Sequence, residues 1–346
     1  MRRREFIGQL TATIVAWPRG LKAEVAPMRP LVAVLSSASS IAAARYLSGL
    51  PKGLQELGYV ERRNIDIVYR YAEGDNARLP ALADELVRLK PDVIVTPNTA
   101  ATLALKQATA TIPIVNVALT DPEGFGFVSS MAQPGGQVTG ILLTLDRLPA
   151  ELLQLVPEVL PSATRIGLLL NISNPSHAVF RRNAEAASAS FARKLVPIEV
   201  RVPDDLDAAF KAMVRERVDV GLVLPDAMFL SWRRRIAALA ITARLPTMFS
   251  LREHVEDGGL ISYGVDLHES LRRGAVFVDK ILKGAKPGDL PVELPTKFEL
   301  VINMKTAKAP GITIPPLIWE RANKVIEEDP QGDMPARLYG LTRSRL

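Results

Sequence analysis

From residue 30 onward the sequence alternates short runs of branched apolar residues with longer amphipathic stretches. The runs Leu31–Leu35 and Asp92–Thr96 have the length of buried strands and are bounded by polar residues, glycine or proline. Between them, Leu79, Leu82 and Leu86 recur at the spacing of one helix face. Strands that alternate with such helices predict βαβ units and a parallel sheet, because a helical crossover must return the chain to the same end of the sheet.

The alternation occurs twice, and at 346 residues the chain is long enough for two lobes that each bury a core. The sequence therefore predicts an α/β fold of two lobes with parallel sheets. We expect 30–145 plus about 266–290 to form lobe 1, and 146–265 plus about 291–328 to form lobe 2. The alternation stops near residue 258, and a helix with strands beyond that point is what a chain crossing back between lobes requires. Residues 329–346 are polar and are expected to form a loose tail.

Several single elements are also predicted from the apolar spacing. One continuous helix is expected over 41–58, a second over 228–243 and a last one over 315–328. An extended segment is expected over 292–303.

Residues 1–26 have the order of an export signal. Three arginines at 2–4 are followed by a mildly apolar stretch that ends at Trp17, and then by small residues at Ala23 and Ala26. The run Arg3-Arg4-Glu5-Phe6-Ile7 resembles the twin-arginine signal. The apolar stretch is shorter than the roughly 20 residues that span a bilayer. Because no cysteine offers a site for lipid attachment, we expect a soluble periplasmic protein; a basic leader on a cytosolic protein is the alternative.

Composition argues against several function classes. The formal net charge is +6, and residues 1–23 hold five basic and one acidic side chain, so +2 remains beyond them. Arg233–Arg235 is the one dense basic cluster in that remainder, so no nucleic-acid partner is expected. Three histidines and no cysteine leave little for metal or acid–base chemistry. Phosphate-binding, dinucleotide-binding, nucleophile-elbow and zinc-protease motifs are absent, so neither an enzyme nor a cofactor is expected.

Short polar side chains follow the predicted strands at the end where open parallel sheets bind ligands. Ser, Thr, Asn and Asp are also favoured helix caps, so these residues indicate a site only as a set. Because both lobes supply such residues, we predict a small-molecule site in a cleft between the lobes. The predicted site residues are Ser36, Ser37, Asn98, Thr99, Ala100, Thr120, Asp121, Asn171, Asn174 and Asp226. His177, which follows Pro175 at a predicted helix start, is interpreted as a surface or capping residue.

Many short motifs along the chain resemble the ABC transporter substrate-binding family, whose better-known members import tryptophan or tyrosine. The resemblance covers nearly all of residues 30–328, and the agreement is greater in the C-terminal half. The motifs are Leu54–Val60, Tyr71–Gly74, Pro91–Val95, Asp121-Pro122, Pro134–Gly136, Val138–Gly140, Gly258–Leu260, Ser262–Gly264, Lys283–Pro287, Asp289–Glu293 and Pro295–Asn303.

The resemblance implies the type I periplasmic-binding-protein fold, in which two Rossmann-like lobes joined by crossing strands close on a ligand by hinge motion. It implies a solute-binding component of an ABC importer that is monomeric, captures a small organic ligand and docks on a permease in the inner membrane. By position, the family's ligand-contacting residues correspond to Ser36, Thr99, Thr120, Asp121, Asn171, Asn174 and Asp226. Asp226 would then pair with a ligand amino group, and Ser36-Ser37 with Thr99 would hold a ligand carboxylate.

The sequence departs from the amino-acid-binding members at two loops. Ala227, Met228 and Phe229 follow Asp226, and alanines follow Thr99. A less polar cleft suits an aromatic or aliphatic carboxylate rather than an α-amino acid. Two other functions stay open: a ligand sensor of the same fold that signals to a membrane partner, and an enzyme on this fold.

Overall fold

The computed structural model describes residues 29–143, 148–188, 191, 193–308 and 312–327. The predicted export signal at 1–26 and the predicted tail at 329–346 lie outside the described residues. Among the described residues, no helix is both long enough and apolar enough to cross a bilayer.

The first lobe is built on a parallel sheet with the strand order β2-β1-β3-β4-β5. Its strands pair in parallel throughout, as the alternation of strands and helices predicts. The strands are β1 (Leu31–Ser36), β2 (Asp66–Tyr71), β3 (Val93–Thr96), β4 (Ile114–Leu119) and β5 (Val138–Leu142). The helices of this part of the chain are α1 (Ser40–Leu47), α2 (Gly49–Glu56), α3 (Leu79–Arg88) and α4 (Thr99–Ala108).

The second lobe is built on a sheet with the strand order β12-β11-β10-β9-β8-β6-β7. Strands β6 to β10 pair in parallel, β11 is antiparallel to β10, and β12 is parallel to β11. The strands are β6 (Arg165–Asn171), β7 (Lys194–Val200), β8 (Val220–Val223), β9 (Thr247–Phe249), β10 (Ile261–Val265), β11 (Phe298–Asn303) and β12 (Lys324–Ile326). The helices after β5 are α5 (Leu148–Val159), α6 (Ser176–Ser188), α7 (Asp205–Arg215), α8 (Ala227–Ser231), α9 (Arg233–Thr242), α10 (Arg252–Glu256), α11 (Leu267–Leu282), α12 (Met304–Lys308) and α13 (Pro316–Arg321).

Each sheet is buried on both faces. Alternate residues of β1 belong to different apolar clusters, with Val32 and Val34 on one side and Ala33 and Leu35 on the other. This two-sided burial explains why inner strands such as β1 and β3 are continuous apolar runs, whereas the edge strands β2 and β7 also carry polar residues.

The order of the described elements requires three crossings between the lobes: one after β5, one between β10 and α11, and one before β11. Helix α11 follows a strand of the second sheet but packs against α2, where a Cβ on Gly53 would lie 2.2 Å from the carbonyl oxygen of Arg272. After α11, Glu293 adds to the edge of the first sheet by donating its N–H to Gly140. The chain then enters the second sheet as β11.

Three predicted elements are wrong in detail. The helix expected over 41–58 is two helices, α1 and α2, because Gly49 and Pro51 favour a new helix start over a continuous one. The helix expected over 228–243 is divided into α8 and α9 at Trp232. The last helix ends at Arg321, and the residues after it form β12, because pairing with β11 satisfies their backbone.

Candidate functional site

A cavity of about 650 Å³, part of which is open to solvent, lies between the two lobes. Its walls come from the loops that follow β1, β3 and β4 on the first lobe and β6 and β8 on the second. These loops leave the carboxyl ends of parallel strands, where helix N-termini converge. The carboxyl ends of the strands of both sheets therefore face the cavity.

The predicted site residues divide into those that line this cavity and those that lie behind it. Seven line the wall: Ser37, Asn98, Thr99, Ala100, Thr120, Asn174 and Asp226. Ser36, Asp121 and Asn171 are not part of the wall.

On the first lobe, Asn98 caps α4 and ties it to the neighbouring loop. Its Oδ1 accepts the backbone N–H of Ala101 at 2.8 Å and the hydroxyl of Ser37 at 3.0 Å. The hydroxyl of Thr99, the first residue of α4, is buried and has no hydrogen-bond partner among the described residues. The backbone N–H groups of Thr99 and Ala100 have no acceptor within the helix, and the helix dipole is positive at this end. This corner of the cavity therefore suits an anionic group.

Behind this corner, Ser36 contacts Tyr46, whose hydroxyl lies 3.2 Å from the serine oxygen. Tyr46 reaches the cavity wall, although nothing in its sequence context distinguishes it from a core residue of α1. Burial raises the pKa of Tyr46, so the hydroxyl stays protonated.

Asp121 lies at the cleft edge in a turn with φ of 40°. Its Oδ1 accepts the N–H of Gly124 at 3.2 Å, and its Oδ2 lies 3.7 Å from Arg182 of the second lobe. An exposed pair of this length contributes little to stability. Asp121 thus joins the two lobes at the rim of the cavity.

On the second lobe, the buried carboxylate of Asp226 is held by neutral donors. Its Oδ2 accepts the side-chain amide of Asn174 at 2.8 Å, and its Oδ1 accepts the N–H of Phe229 at 3.0 Å. The amide of Asn171 lies 3.1–3.2 Å from both oxygens. No lysine or arginine of the described residues comes within ion-pair distance of this carboxylate, although it lines the cavity. A buried charge of this kind calls for a countercharge.

His177 lies behind Asp226 and is buried, so its interpretation as a surface or capping residue is wrong. Its Nδ1 accepts the N–H of Asn171 at 3.0 Å, and its Nε2 lies 3.3 Å from the carbonyl oxygen of Pro225. Burial lowers the pKa of His177, so the ring is neutral and does not compensate the charge of Asp226.

Apart from the polar residues Asn76 and Ser176, most of the remaining wall is apolar, and its leucine and phenylalanine residues were not among the predicted site residues. Leu143 and Leu267 come from the segments that cross between the lobes, and Leu251 follows β9. Phe180 and Leu230 come from α6 and α8. Besides the corner at the start of α4 and the carboxylate of Asp226, the cavity therefore offers a surface for an apolar group.

The lobes also contact each other directly. The N–H of Ser39 donates to the hydroxyl of Ser231 at 3.0 Å, and the side-chain amide of Asn76 donates to the carbonyl of Ser173 at 3.2 Å. Each bond joins the first lobe to the second, and Asn76 also lines the cavity.

Comparison with known proteins agrees with this architecture. The family model described as "ABC transporter substrate binding protein" matches residues 31–326. A tyrosine-binding protein of Clostridioides difficile is 28% identical over 263 residues, which are 75% of this chain and 75% of that protein.

Solved structures with the same architecture include two of similar length. A conserved domain protein from Vibrio cholerae is 32% identical with a TM-score of 0.80, covering 86% of this chain and 99% of the other. An ABC domain from Streptococcus pneumonia in complex with L-Trp is 27% identical with a TM-score of 0.79, covering 86% of this chain and 100% of the other. A leucine-binding protein from Thermotoga maritima is only 14% identical, with a TM-score of 0.57 over 73% of this chain and 83% of the other, and shows the fold alone.

Proposed function

The chain belongs to the ABC transporter substrate-binding protein family, a family of solute-binding proteins and not of enzymes, and from this premise we propose that it captures an α-amino acid with an apolar side chain for import. The ligand would lie in the cavity between the lobes, with its carboxylate on the first lobe and its ammonium on the second. Import of the captured ligand would require docking on a permease of the inner membrane.

The observation that carries this proposal is the uncompensated carboxylate of Asp226. It is buried, lines the cavity and, among the described residues, receives hydrogen bonds only from neutral groups of its own lobe. Ionised groups in protein interiors are paired, and a ligand ammonium would supply the missing countercharge. A carboxylic acid without an amino group would bring a second negative charge into the same cavity.

The first lobe supports the other half of the zwitterion. Thr99 offers a buried hydroxyl without a partner among the described residues, at the positive end of α4. A ligand carboxylate there would accept this hydroxyl together with the free N–H groups of the first helical turn. The two poles lie on different lobes, so one zwitterion would hold both walls together and favour closure.

The apolar wall supports a side chain of aromatic or branched aliphatic type. Phe180, Leu230 and Leu251 line the same cavity, and a mostly apolar lining with a few polar groups is usual for small-molecule sites. The tyrosine-binding relative and the complex with L-Trp are consistent with this choice. The sequence-based preference for an aromatic or aliphatic carboxylate is the competing hypothesis, because Ala100 and Ala227 also line the cavity.

Isothermal titration calorimetry with matched ligands separates these hypotheses. L-tyrosine, L-tryptophan and L-leucine would each be compared with the deaminated acid of the same side chain: hydroxyphenylpropionic, indolepropionic and isocaproic acid. We expect at least one amino acid to bind about 10-fold or more tightly than its deaminated partner, the effect of one charge-assisted hydrogen bond. Equal or tighter binding of the deaminated acids would overturn the proposal in favour of carboxylate import, and binding of none of the six would overturn both.

A further inference from the structure

The imidazole of His177 connects the two loops that carry the second-lobe pole of the site. Its Nδ1 accepts the backbone N–H of Asn171 at 3.0 Å, and its Nε2 lies 3.3 Å from the carbonyl oxygen of Pro225. Asn171 in turn donates its side-chain amide to Asp226, which directly follows Pro225. The ring of His177 therefore holds the backbone at two places: at Asn171, whose side chain orients the carboxylate, and at Pro225, which precedes Asp226.

The hydrogen bonds also determine the charge of the ring. Because Nδ1 of His177 accepts an N–H, it carries no proton, and the one ring proton lies on Nε2 and points to Pro225. The distance from Nε2 to Oδ2 of Asp226 is 3.6 Å, which is too long for a hydrogen bond. Burial lowers the pKa of His177, and this effect exceeds the opposing influence of Asp226. His177 thus positions the carboxylate without neutralising it.

Packing holds the ring in this orientation. The ring centroid of His177 lies 5.1 Å from that of Phe180 and 5.7 Å from that of Phe229, the latter in an edge-to-face arrangement. Phe180 lines the cavity, and the N–H of Phe229 donates to Asp226. Rotation of the imidazole would therefore disturb the polar pole and the apolar wall together.

We propose that His177 is a positioning residue that sets the preference of the site for ligands with an ammonium group. The neutral ring holds the loops at Asn171 and Pro225 so that the carboxylate of Asp226 faces the cavity with its charge uncompensated. This inference rests on the proposed function, because the preference it explains is the one proposed for an amino acid over its deaminated acid.

The test compares affinities for two ligand pairs in the full-length protein: L-tyrosine with hydroxyphenylpropionic acid, and L-tryptophan with indolepropionic acid. His177→Phe keeps the aromatic volume but removes both hydrogen bonds. We expect it to lower the ratio of the affinities for the amino acid and its deaminated partner by at least about 10-fold. The Kd of the deaminated acid should change by less than about 3-fold. His177→Asn can place its amide oxygen as an acceptor at the position of Nδ1, but its shorter side chain places no donor at the position of Nε2. An intermediate preference is therefore expected, and this variant decides the question if the phenylalanine variant does not fold.

His254→Phe is the matched control. His254 is also buried on the second lobe and stacks on Phe249 with ring centroids 4.7 Å apart, but it is not part of the cavity wall. The control should keep the wild-type preference. If both His177 variants keep the wild-type preference, or lose affinity equally for the amino acid and its deaminated partner, the proposed role of His177 is wrong, whereas the proposed function is unaffected. A wild-type protein without the preference would overturn the proposed function itself.

Discussion

Replacing Thr99 by valine should stabilise the free protein and weaken its binding to the ligand. Valine has almost the same shape and the same branching at Cβ, so the start of α4 should be preserved. The substitution removes a buried hydroxyl that has no hydrogen-bond partner among the described residues. Stability and affinity should therefore move in opposite directions.

The two magnitudes follow from the environment of this hydroxyl. An unsatisfied buried polar group destabilises a protein by about 1–3 kcal/mol, so Thr99→Val should raise the free energy of unfolding by about 1 kcal/mol. For two lobes of this size, that corresponds to an increase in Tm of about 2 °C. In the complex, the hydroxyl would donate to a ligand carboxylate, a bond worth about 1.5–3 kcal/mol, so Kd should increase roughly 10-fold to 100-fold.

Thr96→Val is the control that the chain itself offers. Thr96 ends β3, is fully buried, and its hydroxyl also lacks a partner among the described residues, but it does not line the cavity. Calorimetric unfolding should show a similar stabilisation for both variants, and titration should show weaker binding for Thr99→Val only. If Thr99→Val binds the amino acid as tightly as the wild type does, the ligand carboxylate does not contact Thr99. If both valine variants lose affinity equally, the loss does not come from a contact in the cavity.

Three further predictions test the scaffold by urea unfolding. Burial lowers the pKa of His254 from 6.5 to about 3; because the unfolded chain then binds a proton that the native state does not, stability should fall by about 2 kcal/mol between pH 7 and pH 5, and His254→Phe should abolish that part of the slope. Gly140→Ala should destabilise by about 3 kcal/mol or more, since φ is 145° and a Cβ would lie 1.8 Å from the carbonyl oxygen of Asn116; an unchanged midpoint would contradict this close approach. Arg45→Met should destabilise by about 2 kcal/mol, because it leaves the buried carboxylate of Glu253 without the guanidinium 3.0 Å away, and adding Glu253→Gln should restore most of the loss.

The fold was largely predictable because the residues that favour strands locally are also those that burial between two layers of helices requires. Strands such as β1 and β6 are buried on both faces, so an apolar run identifies them without any knowledge of their neighbours. The family and the two-lobed α/β fold expected from the sequence are confirmed. The element β12 was missed because three residues are too few to show a strand pattern; Val325 and Ile326 favour a strand, but only pairing with β11 makes them one.

The cavity was predictable only in part, for a related physical reason. Ser37, Thr99 and Asp226 stand at the ends of strands, where topology alone brings ligand-binding loops together. Tyr46 and Leu251 also line the wall, but each has the sequence pattern of a core residue. Their position at the cavity depends on how one lobe is placed against the other, and no local spacing encodes that placement.

Asp226 can cap α8 and contact a ligand at the same time. A cap requires one accepted hydrogen bond, and the N–H of Phe229 supplies it at Oδ1. The amides of Asn171 and Asn174 then add donors that a five-residue helix such as α8 does not require for its start. They make burial of the charge tolerable while leaving it uncompensated, which is the condition for binding a cation and not merely for starting a helix. Under the proposed function, Asp226 would therefore both cap α8 and bind the ligand ammonium, and His177 would hold that arrangement from behind.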